Sequence, residues 1–412
     1  MYKQIRMNSE ALRRFAGLCT IVFSILLATI SSVEAAEWRI EPVLRIAGDY
    51  DDNAFLSTRT DIESETGYIA EASARFSYGS DTTDFYITPI LRTRDYGSDS
   101  DLNSDDQFLR TDFRHNTETS DFRIRARYDR ESVRTAERAD TDLDVTDPDE
   151  IPEDDTGRVT IQDRRERFQI SPSYFYRVTG SSSLGLQLDY SDVRYDKALA
   201  EALTDYTDTR VNASYRHRWS TRNTGILTGT FRNYQTDRGA NEVSGVGLNI
   251  GLDRSLTETA HFRITAGYEN TEVADNKDDA NWVANVSYVR QLKTTRLLAQ
   301  YRRSISASGS GALATRDSVN LSFTRDLSDL ITAGIGARVY ATNAIDETIG
   351  NFDERRYVQL RAQFIWHLST EFSLETNYRY TFLDREVLLE SANSNQVTVW
   401  LNYRPKPTVR SR

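Results

Sequence analysis

The residues that could do chemistry fall into two groups. Histidine stands at only four positions, His115, His217, His261 and His367. His367-Leu368-Ser369 alone places a hydroxyl where an imidazole could activate it, and it abuts a predicted short turn, so it reads as a rim histidine. No glycine-rich phosphate loop and no metal-ligand spacing occurs, so neither cofactor nor catalysis is expected. Arginine is the second group: 46 Arg stand against 5 Lys. A guanidinium fork binds carboxylate or phosphate with two parallel hydrogen bonds and stacks on aromatic rings. The pattern puts Arg92, Arg94, Arg110, Arg123, Arg125, Arg127, Arg177, Arg216, Arg218, Arg302, Arg338, Arg361 and Arg379 on one kind of face, together with Tyr86, Tyr357, Gln359 and Trp400. Such a surface suits an acidic sugar chain. It equally suits a wall of arginines neutralised by Asp112, Glu269 and Glu375.

That face is defined by alternation. In FRIRARY, Phe122, Ile124, Ala126 and Tyr128 point one way and Arg123, Arg125 and Arg127 the other. SLGLQLDY (from Ser183), VGLNIGL (from Val246), YVQLRAQFIWHL (from Tyr357) and QVTVWLNY (from Gln396) repeat the pattern. Strict alternation is a strand with one apolar and one polar side. Eighteen such segments run from 38 to 404; the pattern is most broken at 106–116 and 225–235. The links alternate between long (51–66, 96–105, 132–163, 192–206) and short (79–82, 179–182, 220–224). Sorting by length is expected of a transmembrane antiparallel β-barrel, whose two ends face different compartments. A soluble β-sandwich has no such reason. Pro42, Pro89 and Pro172 lie within strands, where bulges or strand ends must absorb them.

The longest link, 132–163, carries Asp140, Asp142, Asp144, Asp147, Asp149 and Glu150 between strands five and six. It reads either as a solvated acidic loop or as a constriction loop facing the arginines.

The N-terminus supplies the compartment. Lys3, Arg6, Arg13 and Arg14 precede an apolar run from Phe15 to Ile30, and Val33-Glu34-Ala35 offers a cleavage site, so 1–35 reads as a signal peptide. Cys19 leaves with it, and the mature chain has no cysteine. The whole chain has a net charge of −11; the leader removes four cations and two anions, leaving −13. An acidic chain argues against a nucleic-acid partner. The expectation is an all-β protein: signal peptide 1–35, outer-membrane barrel 36–404, and a periplasmic tail 405–412. Both termini fall on the short-turn, periplasmic side.

The mature N-terminus, EWRIEPVLRIAGDYDDNAFLS, carries Tyr50-Asp51-Asp52-Asn53-Ala54-Phe55-Leu56. This resembles the opening of the outer-membrane beta-barrel porin 2 family, barrels associated with exopolysaccharide secretion. The resemblance covers about 20 residues in motif and the mature chain in architecture. It implies export of a surface polysaccharide, with a periplasmic polysaccharide co-polymerase, export proteins and the barrel assembly machinery as partners. It implies no catalytic residue. The same barrel fits a general or anion-preferring porin for small solutes.

Overall fold

The computed structural model describes residues 36–58, 64–97, 100–138, 143, 163–196, 203–236, 242–273, 277–309, 311–345, 354–385 and 390–411. The proposed leader lies outside them.

Eighteen strands form the wall: β1 (Glu37–Asp51), β2 (Glu65–Gly79), β3 (Thr83–Asp95), β4 (Ser104–Asn116), β5 (Ser120–Ser132), β6 (Arg164–Arg177), β7 (Ser182–Tyr195), β8 (Tyr206–Arg218), β9 (Asn223–Thr236), β10 (Glu242–Thr257), β11 (Ala260–Val273), β12 (Lys277–Gln291), β13 (Thr295–Ala307), β14 (Leu313–Ser328), β15 (Ile331–Ala344), β16 (Arg355–His367), β17 (Phe372–Arg385) and β18 (Glu390–Tyr403). Each pairs antiparallel with its sequence neighbour, and β1 closes the ring on β18 from Leu44↔Tyr403 to Asp51↔Gln396. All eighteen expected segments are strands, including the two with broken alternation.

Alternation becomes inside and outside. Leu44, Ile46, Leu186, Leu248, Ile250, Ile335 and Leu360 are exposed on the outer surface. Ile250 is 65 % exposed, as expected of a lipid-facing side chain. Rings gather at the short-turn end, where Trp38 meets Tyr78 at 4.8 Å and Phe372 stacks on Tyr403 at 4.8 Å.

Three features differ from expectation. The tail is partly ordered: Thr408–Ser411 forms β19, pairing with β1 from Ile40↔Thr408 to Glu37↔Ser411. The cause is length. β18 covers β1 only down to Leu44, and the tail takes up the backbone groups beyond it. The third long link opens with a helix, α1 (Val133–Arg138). At Pro89 and Pro172 the ladder skips one stretch and resumes in the same register, Ser73↔Ile90 to Phe76↔Ile87 and Ile170↔Tyr190 to Ser173↔Gln187. These two prolines are absorbed by missing bonds rather than by bulges, while Pro42 stays in register with Ala74.

Candidate functional site

The lumen encloses a cavity of about 1190 Å³. Eight of the expected arginines line it: Arg92, Arg94, Arg110, Arg125, Arg127, Arg302, Arg361 and Arg379. The other five do not. Arg123 is held by Asp112 at 2.6 Å. Arg177 and Arg218 brace short turns at the rim, donating to the carbonyls of Glu118 (2.5 Å) and Gly180 (2.6 Å). Arg216 lies 4.6 Å over the Phe175 ring. Arg338 is buried in the wall beside Tyr340, a ring that also faces Arg316 and Arg355. Of the four other residues expected on this face, Tyr86 and Trp400 line the cavity. Tyr357 and Gln359 are buried outside it.

Within the cavity wall, pairing is uneven. Glu71 holds Arg92 at 2.7 Å and Arg45 at 3.5 Å. Arg94 pairs with Asp106, and Arg110 with Asp129. Arg165 meets Glu131 at 2.7 Å. Glu375 accepts from Arg45, Gln363, Asn377 and Asn402 at 2.8–3.3 Å. Arg125 and Arg127 line the cavity beside these pairs, yet neither makes an ion pair or hydrogen bond with any described residue. The paired arginines are neutralised wall, and among the described residues these two make no direct pair in a confined space, where field lines concentrate.

Four cavity arginines went unread in the sequence, Arg303 among them. Alternation alone could have found Arg45, which lies between outward Leu44 and Ile46 and sits 4.3 Å over Trp400. The alternation that runs from Arg165 to Arg167 signals Arg165 too. No local pattern signals Arg134, which reaches the cavity from α1.

The long-link end is drawn inward. Leu143 is buried against the far wall: its carbonyl accepts from Thr324 on β14 at 3.0 Å, and its side chain sits over Gly334 and Gly336 of β15. β14 is nine places from β5 around the ring, so Leu143 stands on the wall opposite β5. The acidic residues Asp140, Asp142, Asp144, Asp147, Asp149 and Glu150 lie outside the described residues. A Cβ on Gly336 would stand 2.5 Å from Leu143 Cδ2, so glycine makes the notch.

The Tyr50–Leu56 motif holds the other side. The Asp51 carboxylate accepts from the Asn53 N–H (3.0 Å), the Ser394 hydroxyl (2.7 Å) and Arg134 (3.3 Å). Asp52 accepts from the backbone and side-chain N–H groups of Asn395. Asn53 donates to the carbonyls of Ser57 and Asn393. Leu56, at φ 48°, is buried with Tyr340, Tyr357, Leu383 and Ala392. Nearby, Tyr96 donates to Asp49 at 2.7 Å; burial first, then that carboxylate, raise its hydroxyl pKa and keep it protonated. The motif is thus a latch that folds the first link inward and ties it to α1.

His367 stands at the short-turn end, and the Ser369 hydroxyl is occupied by the N–H groups of Glu371 and Phe372. Among the described residues no cluster of three metal-binding side chains occurs.

No family model and no curated protein matches the chain. Solved structures align with most of the chain at very low identity. OccAB4 of Acinetobacter baumannii is 11 % identical, with 92 % of this chain and 99 % of that one covered at a TM-score of 0.45. The outer membrane channel DcaP of the same organism is 10 % identical, over 91 % and 99 %, at 0.43. OccK5 (OpdH) of Pseudomonas aeruginosa is 10 % identical, over 89 % and 98 %, at 0.44.

Proposed function

We propose that this barrel is an outer-membrane channel whose lumen passes an acidic polysaccharide chain to the cell surface. The observation that carries the reading is that Arg125 and Arg127 in the cavity wall make no direct ion pair among the described residues. A carboxylate-bearing sugar finds guanidiniums there, with amides and hydroxyls such as Gln187, Asn212 and Thr230 around them. The resemblance of the Tyr50–Leu56 region to exopolysaccharide-associated barrels supplies the cargo class. The long links face outward from the cell and both termini face the periplasm, where a polysaccharide co-polymerase and export proteins would deliver the chain. The same arginines favour a second reading, an anion-preferring porin for small solutes.

Replacing both with glutamine keeps hydrogen bonding and removes charge. In planar bilayers under a salt gradient, R125Q/R127Q should shift the reversal potential toward cation selectivity. In cells it should lower surface polysaccharide at an unchanged level of folded barrel. A shifted potential with normal polysaccharide selects the small-solute porin; no change in either removes both readings.

A further inference from the structure

β12 and β13 part company halfway up the wall. Their ladder ends at Ala284↔Arg303, although β12 continues to Lys277 and β13 to Ala307. Each is held beyond that point by its other neighbour: β12 by β11 up to Val273↔Lys277, β13 by β14 up to Ala307↔Leu313. Four residues of β13 and seven of β12 therefore have no ladder partner on this side, and only side chains such as Val283, packed against the cluster around Ile305, bridge the parting. At every other seam among the described residues, at least one strand is paired to within two residues of its long-link end.

The cause lies in where the β13–β14 tip goes. The Ile305 carbonyl, instead of meeting β12, accepts from Arg210 (2.8 Å) and Arg232 (3.0 Å) of β8 and β9. The Thr204 N–H donates to the Gly309 carbonyl at 2.7 Å. Ile305 and Leu313 are buried with Val133, Tyr206 and Tyr234. The tip thus leans into the mouth, and among the described residues apolar side chains from α1 to β14 pack across it beside the place where the two strands part.

The parting is furnished with side chains. From inside, the lumen cavity reaches Val283, Ala284, Ser304 and Ile305. Arg303, which the lumen cavity also reaches, lies 4.4 Å over the Trp282 ring and pairs with Asp317 at 2.5 Å, while the Tyr301 hydroxyl donates to the same carboxylate at 2.7 Å. The geometry points to a side window: cargo passes between the lumen and the outer-leaflet side through the wall between β12 and β13, not along the barrel axis. This rests on the channel reading and its orientation. An aromatic ring and a guanidinium at the rim suit the saccharide proposed as cargo.

Register continued beyond Ala284↔Arg303 would oppose Asn281 to Ser306. Because the mature chain has no cysteine, N281C/S306C can be bridged with a short bismaleimide and measured in planar bilayers. Bridging should lower conductance several-fold. Each single variant treated alike, and a bridged N270C/A280C pair on the intact β11–β12 seam, should conduct as the parent does. S304W, which fills the window without a reagent, should lower conductance in the same direction. Parental conductance in the fully bridged protein, or in S304W where bridging is incomplete, overturns the window and leaves the channel standing. A parent that does not conduct overturns both.

Discussion

The Arg134 guanidinium lies 3.3 Å from the Asp51 carboxylate, joining the helix that opens the third long link to the end of the first strand. Arg134 also donates to the Ala54 carbonyl at 2.7 Å and lies 5.7 Å from the Phe55 ring. Asp51 is fully buried, so removing either partner strands a charge, a loss of about 3–5 kcal/mol where burial is complete. D51A should therefore release α1, making the 132–163 link more protease-sensitive and the single-channel current noisier. An unchanged cleavage rate would show that the latch does not hold the link.

Leu143 tests the far end of the same link. G336V places methyl groups where Leu143 sits and should dislodge it, raising conductance. L143A should act in the same direction, since emptying a buried leucine site costs roughly 2–5 kcal/mol. Conductance that falls or stays constant in both variants would mean the link does not narrow the lumen.

The two faces of a strand should respond oppositely to charge. Ile250 and Leu186 face outward, Asn249 and Gln187 line the cavity. I250R or L186R should destabilise the barrel in lipid by about 2–4 kcal/mol near the midplane, read by urea titration in liposomes. N249R and Q187R should be mild.

The tail should matter to assembly. Deleting 405–412 removes β19 and bares the edge of β1 from Glu37 to Ile40. With each lost hydrogen bond worth about 0.5–1.5 kcal/mol, the heat needed to unfold the barrel on a gel should drop and folding into vesicles should slow. Identical behaviour would make β19 dispensable.

Orientation has a direct check. Protease added to intact cells should cut within 137–155 and spare the 220–224 turn; the reverse pattern inverts the barrel.

The sequence by itself determined the wall. Period-2 alternation is a property of each strand alone, because successive side chains point to opposite faces, so eighteen strands, their lipid faces and most inward arginines were readable locally. Broken alternation at 106–116 and 225–235 did not stop those segments pairing, because both neighbours supply a ladder. Which arginines are directly paired was decided only in three dimensions. Arg123, Arg125 and Arg127 look identical in FRIRARY, but Asp112 reaches Arg123 and leaves the other two alone. The same holds for the Tyr50–Leu56 latch, the Leu143 notch and the parting of β12 from β13. Each depends on groups separated by tens to hundreds of residues, and a hydrogen bond or a buried contact across the lumen leaves no periodic trace in the chain.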